Sequence, residues 1–181
     1  MAFLIISASL NPSSHSRILA KRALSIFELN NTEYRMIDLR DYGLPFCDGD
    51  ESYNHAQVPK LKQMIREAEA VLIATPIYNY DANAQIKNLI ELTGKSWENK
   101  VVGFMCAAGA KSSYMSIMSL ANSLMLDFRC FILPRFVFAV SGDFKNKQLV
   151  NEQIDRRLHQ LVELMIKMHA ALDTQNLLKT V

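Results

Sequence analysis

The chain has little glycine, few cysteines and no long apolar run, and each shortage removes a class of function. Only 6 of its 181 residues are glycine, and none falls between Ser7 and Arg17, its first polar stretch. A Walker A loop or a G-x-G-x-x-G fingerprint is therefore excluded there, because a pyrophosphate needs glycines for close backbone approach. The 3 cysteines, Cys47, Cys106 and Cys130, are odd in number and form no C-x-x-C pair, so neither a redox dithiol nor a zinc site is expected. Cys106 and Cys130 lie in apolar runs and read as buried thiols, which suits a reducing, cytoplasmic setting. Cys130 and Arg135 are one residue short of the Cys-to-Arg spacing of a low-molecular-weight phosphatase. The histidines, His15, His55, His159 and His169, are scattered, which leaves no Ser-His-Asp set to argue; His159 and His169 are expected on the surface of the last helix. No segment approaches the roughly 18 apolar residues of a membrane span, and the N-terminus lacks the basic region of a signal peptide. No block of like charge marks a nucleic-acid stripe, and the net charge is only +2. Neither nucleic acid nor membrane is expected as a partner.

What is present is a regular alternation of short apolar runs and amphipathic stretches. Strands are predicted at Phe3–Ile6, Tyr34–Leu39, Ala70–Thr75, Val101–Ala107 and Arg129–Leu133, with Phe136–Val140 as a candidate extension of the last past Pro134. Helices are predicted at Ser16–Leu29, Val58–Ala68, Ala84–Leu92 and Ser113–Leu126. A long C-terminal helix carries the stripe Ile154, Leu158, Leu161, Met165, Met168, Leu172. Residues 41–56 are too irregular for one element. The third run is nearly all apolar, as in a strand covered on both faces. This β-α-β-α order implies one α/β domain over residues 1–181: a flavodoxin-like doubly wound parallel sheet in order 2-1-3-4-5, with helices on both faces. Ligands in such sheets bind beyond the carboxyl ends of the strands, so the loops after strands one, three and four should share a site.

The first of these loops runs from Ser7 to Arg17 and holds five serines, Asn11, His15 and Arg17. It leads into a helix N-terminus, whose free N–H groups and partial positive charge suit a phosphate monoester. The plainer reading makes Ser13, Ser14 or Ser16 a helix N-cap. The second loop, Thr75 to Ala84, offers Tyr78 and Tyr80 as flat faces and Asn79 as a hydrogen-bonding group. Its plainer reading is a surface turn with Asp81 or Asn83 as the next helix cap. The third, Cys106 to Tyr114, is built of small residues around Gly109, which let a ligand approach the backbone. Together the loops suit a planar cofactor bearing one phosphate. The helix after Ser113 has more apolar residues, among them Met115, Met118, Met125 and Leu126, than one buried face needs, which suggests a partner.

These motifs resemble those of the NADPH-dependent FMN reductases, a flavodoxin-like family. Ala8 to Ser16 is similar to that family's G-S-L-R-x-x-S-x-N stretch. Pro76-Ile77-Tyr78-Asn79 is similar to its P-E-Y-N loop, Ile86-Lys87-Asn88 to its L-K-N, and Gly109 falls in its glycine-containing loop. Asn11 stands where the family usually has arginine, Ile77 where it has glutamate, and Ser112-Ser113 where it has two glycines. The resemblance implies bound FMN, with NADPH or NADH as electron donor and a quinone, azo dye, metal oxyanion or free flavin as small-molecule acceptor. By position, Ser9, Asn11, Ser14, His15 and Ser16 would hold the phosphate. Pro76, Ile77, Tyr78 and Asn79 would line the isoalloxazine, with Gly109 at its other edge. No catalytic side chain and no metal are implied, and a homodimer or homotetramer is. The alternative is an FMN-binding electron carrier or sensor without turnover of its own.

Overall fold

The computed structural model describes residues 2–175; residue 1 and residues 176–181 of the expected domain lie outside them. Strands β1 (Phe3–Ser7), β2 (Tyr34–Asp38), β3 (Ala70–Tyr78) and β5 (Val101–Ala108) pair in parallel, in the order β2-β1-β3-β5. The fifth position beyond β5 is shared by two short strands, β6 (Phe131–Ile132) and β7 (Val137–Val140), both parallel to it. The sheet order thus matches the sequence expectation, with the last strand broken around Pro134. Proline cannot donate to the ladder and is confined to such edges.

Helices cover both faces. On one side α1 (His15–Leu29) and α5 (Glu152–Thr174) bury Leu19, Ala23, Phe27, Leu158 and Met165 against Phe3, Ile5, Leu72 and Met105. On the other, α2 (Val58–Glu67), α3 (Ala84–Thr93) and α4 (Met118–Phe128) bury Leu61, Ile65, Ile86, Leu89 and Leu124 against Leu4, Ile6, Val71 and Phe104. Alternate strand residues feed opposite clusters, as the two-residue period of a pleated sheet requires. The C-terminal stripe is buried from Ile154 to Met165, and Met168 and Leu172 pack against it.

Three local features differ from the sequence expectation. The apolar helix after Ser113 is divided: Lys111–Ile117 is a 3₁₀ segment, and α4 starts only at Met118. Strand β3 runs on through Pro76 and Ile77 and folds back as an antiparallel hairpin with β4 (Asp81–Ala82). A second hairpin, β8 (Phe144–Lys145) with β9 (Gln148–Leu149), precedes α5. Both hairpins turn on two residues of positive φ, Asn79 and Tyr80 in one, Asn146 and Lys147 in the other. That turn matches the twist of the paired strands, but it normally selects glycine or asparagine, which is why Tyr80 and Lys147 hid it from sequence reading. His169 also differs from expectation. It is largely buried, packing edge-on against Phe3 at 5.7 Å, with Nε2 at 3.5 Å from a Glu69 carboxylate oxygen.

Candidate flavin site

The carboxyl ends of β1, β3 and β5 lie side by side, so three loops emerge at the switch point between β1 and β3. The first is locked from behind. Arg17 is only 6% exposed. Its Nη2 donates to Ser9 O at 2.6 Å and its Nη1 to Asn11 O at 2.5 Å. Its Nε donates to Asp38 Oδ2 at 2.6 Å. The guanidinium therefore holds the loop's shape through its carbonyls, with its charge facing a carboxylate. Burial pushes the Asp38 carboxyl up, but hydrogen bonds from Arg17 and Arg40 outweigh it and hold its pKa below the ordinary 3.8. Sequence analysis placed Arg17 in the loop without a partner; the structure makes it a brace.

Within the loop, Asn11 turns back on its own backbone. Its Oδ1 accepts from Ser13 N at 2.9 Å, and its N–H donates to Ser9 Oγ at 3.2 Å. Ser14 occupies the N-cap position of α1 in extended conformation, yet its side chain makes no capping bond. Ser14 Oγ instead pairs with Ser16 Oγ at 2.8 Å. No acidic residue stands in the first turn. The plain cap reading thus fails: the helix begins with its leading N–H groups free of side-chain acceptors. His15 stacks on Phe144 at 4.3 Å with 9° between the rings, which ties the β8–β9 hairpin to the loop.

The second loop is fastened to the first by Asn83. Its Nδ2 donates to Ala8 O at 2.8 Å, and its Oδ1 accepts from Thr75 Oγ1 at 2.9 Å. It stands at the N-cap of α3 without capping it, and sequence reading, which saw only a cap, missed this cross-link. Tyr78 and Tyr80 project outward, 53% and 67% exposed. Tyr80 Oη donates to Ser112 Oγ at 3.1 Å, linking the second loop to the third, and Ser119 Oγ on α4 donates to Asp81 Oδ1 at 2.8 Å. All three loops therefore form one connected rim.

A sequence model described as NADPH-dependent FMN reductase matches residues 1–145. The chain belongs to that family. It is 31% identical over 144 residues to an NAD(P)H-dependent FAD/FMN reductase of Geobacillus thermodenitrificans, covering 77% of each chain. An NADPH azoreductase of a Bacillus species is 27% identical over 127 residues, or 68% of each chain. Among solved structures, FerB of Paracoccus denitrificans, a flavoenzyme NAD(P)H:(acceptor) oxidoreductase, superposes with a TM-score of 0.76. It shares 20% identity, over 94% of this chain and 97% of that one, and shows the likeness of fold.

Family membership makes this an oxidoreductase that uses NAD(P)H and FMN. Its motif residues divide in their duties. Ile77 is buried in the core, so only its backbone is left for a ligand. Pro76 is buried within β3, opposite Ala107. Asn88 anchors the irregular 41–56 segment, donating to Pro45 O and accepting from Cys47 N, both at 2.8 Å. Lys87 is solvated and pairs with Glu91 at 3.3 Å. Gly109 is exposed, and a Cβ added there would meet nothing within 4 Å, so the surrounding protein does not require a glycine. Burial pushes the Cys130 thiol up to about 12 and the Cys106 thiol higher still, so neither is a reactive thiolate near neutrality. Among the described residues no cluster of His, Cys, Asp and Glu could hold a metal ion, and no helix is long and apolar enough to cross a membrane.

Proposed function

We propose that the chain binds FMN with its phosphate on the first loop and its ring on the other two, and passes electrons from NAD(P)H to a small acceptor such as a quinone, an azo dye or a free flavin. The observation that carries this reading is the start of α1. A helix whose N-cap serine declines to cap, with no acid in its first turn, leaves free donors and a positive partial charge. A phosphate dianion satisfies both. Ser9, Ser14 and Ser16 line that end, and the backbone of Asn11 to Ser13 is pre-shaped by Arg17. Asn11 offers Nδ2 to an anion, its Oδ1 being engaged. His15 contributes through its backbone at the helix start, its ring being stacked on Phe144.

Bound FMN supplies the two-electron chemistry. The chain's part is positional. Pro76 to Asn79 form one wall for the ring, and Gly109, where no side chain intrudes, forms the other. Backbone N–H groups of these loops supply donors where negative charge grows on reduction. No side-chain acid or base is required. The exposed Tyr78 and Tyr80 offer a flat surface to an aromatic acceptor. We also assign a homodimer, with the exposed Met115, Met118 and Leu126 as its apolar contact.

The test is an absorption spectrum of the purified chain before and after FMN is added, followed by steady-state NADH and NADPH oxidation with a quinone and an azo dye. The expected result is a bound flavin spectrum and acceptor-dependent oxidation. No flavin binding after reconstitution overturns the site, and binding without turnover overturns the enzyme reading.

A further inference from the structure

At the outer edge of the sheet lies a cleft of about 610 Å³, lined by none of the residues assigned above to the flavin. It exists because the last strand is broken. Pro134 to Phe136 leave the ladder between β6 and β7, the two short strands that pair with β5. The gap beside them is walled by α5, through Arg157, Gln160, Leu161 and Leu164. Steps of three and four residues put these side chains on one face of the helix. Tyr114, from the 3₁₀ segment Lys111–Ile117, closes the remaining side.

The cleft combines an aromatic and apolar floor with a cationic rim. Tyr114 stacks on Phe136, ring centroids 4.8 Å apart, and meets Phe138 edge-on at 5.3 Å. Phe136 and Phe138 pack into the core on one side of the sheet and Leu161 into the core on the other, so the floor is held from behind. Tyr114 itself stays 42% exposed, which leaves ring surface open to a ligand. The rim is Arg135, on the broken strand, and Arg157, on α5. Both are exposed, and among the described residues neither has an acidic partner. Arg17, Arg22, Arg35, Arg40 and Arg129, by contrast, each sit on a carboxylate. Two unpaired planar guanidiniums on different walls of one cleft favour an anion. A cleft of this volume falls within the ~300–1,000 Å³ usual for small-molecule sites.

We propose that this cleft binds a small aromatic anion, a flat ring carrying one carboxylate or sulfonate. The ring lies against Tyr114, Phe136, Leu161 and Leu164, and the charged group meets Arg135 and Arg157, with the Gln160 amide as a further donor. Each half of the site needs the other. Exposed guanidiniums gain little from a small ion in water, and an apolar floor alone does not select for charge. A chain of phosphates fits less well. The start of α5, the helix that supplies Arg157, is already capped by Asn151, which accepts from Gln153 N and Ile154 N, and its first turn carries Glu152 and Asp155. That helix end therefore repels added negative charge where a longer polyanion would need donors.

The experiment is calorimetric titration of the full chain with naphthoate and with its neutral counterpart naphthylmethanol, at about 0.15 M salt, where distant charges are screened. Each titration is run with and without excess FMN. The wild type should bind naphthoate with a Kd of about 1 mM or tighter, and equally well in either condition. The double variant Arg135→Gln, Arg157→Gln should lose about tenfold or more in naphthoate affinity and change less than about twofold for naphthylmethanol. Both arginines are exposed, so the variant keeps its fold. Tyr114→Ala should weaken both ligands. No naphthoate binding by the wild type, or equal affinity in the wild type and the arginine variant, overturns the proposal. Loss of naphthoate binding when FMN is added places the ligand in the flavin site and overturns it as well. A light-scattering mass that falls in the arginine variant, with naphthoate affinity intact, makes the cleft a contact between copies of the chain and equally overturns it.

Discussion

Arg17 shows how one side chain can shape a site without touching a ligand. Its three contacts hold two loop carbonyls and the Asp38 carboxylate. Removing it exposes those carbonyls and leaves Asp38 nearly buried on Arg40 alone. Arg17→Ala should therefore cost stability near the low end of the ~3–5 kcal/mol seen when a buried pair is broken. Urea unfolding followed through the single, fully buried Trp97 measures it, and an unchanged midpoint would remove the brace from the account. The same contact sets an acid dependence. Because the folded Asp38 pKa lies below its ordinary 3.8, the unfolded chain takes up the proton first as pH falls. Its stabilisation is complete above the ordinary value and vanishes once pH passes below the folded one. Asp38→Asn should be less stable near neutrality and lose this part of the pH dependence, read as urea midpoint against pH. Tyr80 is strained for a different reason. Its φ of 63° suits glycine, so Tyr80→Gly should leave stability unchanged or raise it by about 0.5–1 kcal/mol while weakening acceptor KM. A drop of more than about 1 kcal/mol would show that the Ser112 contact outweighs the backbone strain.

At the scale of elements, the uncapped α1 start separates helix stability from ligand binding. Ser14 already has cap-like backbone angles, φ −67° and ψ 131°. Ser14→Asp should thus cap the helix and stabilise the flavin-free protein by about 0.5–1 kcal/mol. The same carboxylate should repel a phosphate and weaken FMN binding by tenfold or more. Thermal melting and FMN titration of one variant read the two effects, and a variant that binds FMN as well as the wild type contradicts the phosphate assignment. The seat of α5 on β5 depends on Gly103, where a Cβ would come within 2.9 Å of Met165 Cε and 3.1 Å of Leu72 Cδ1. Gly103→Val should cost about 1–3 kcal/mol by overpacking. Met165→Ala in the same chain should recover part of that loss, a coupling that distant sites would not show.

For the whole molecule, the exposed apolar residues of the third loop and α4 set a test of assembly. Leu126 is 84% exposed and Met115 62%, so the double variant Leu126→Glu, Met115→Lys should shift the light-scattering mass from dimer to monomer. A monomeric wild type rules the interface out. The sequence alone determined the fold, because apolar period and run length state which residues must leave water and leave one doubly wound arrangement for them. It also brought three loops to one rim, since strand ends in such a sheet have fixed neighbours. Its composition left the first loop open between a helix cap and a phosphate seat, and only the resemblance to the reductase family named Ser14 and Ser16 for the phosphate. What it could not carry were contacts between residues remote in the chain: Arg17 with Asp38, Asn83 with Ala8, His15 with Phe144. Nor could it show that the α1 cap is unused, because a serine before a helix reads the same whether it turns to the backbone or to another serine. Such choices are made by which partner the packed fold brings within bonding distance, a property of position in space and not of residue type.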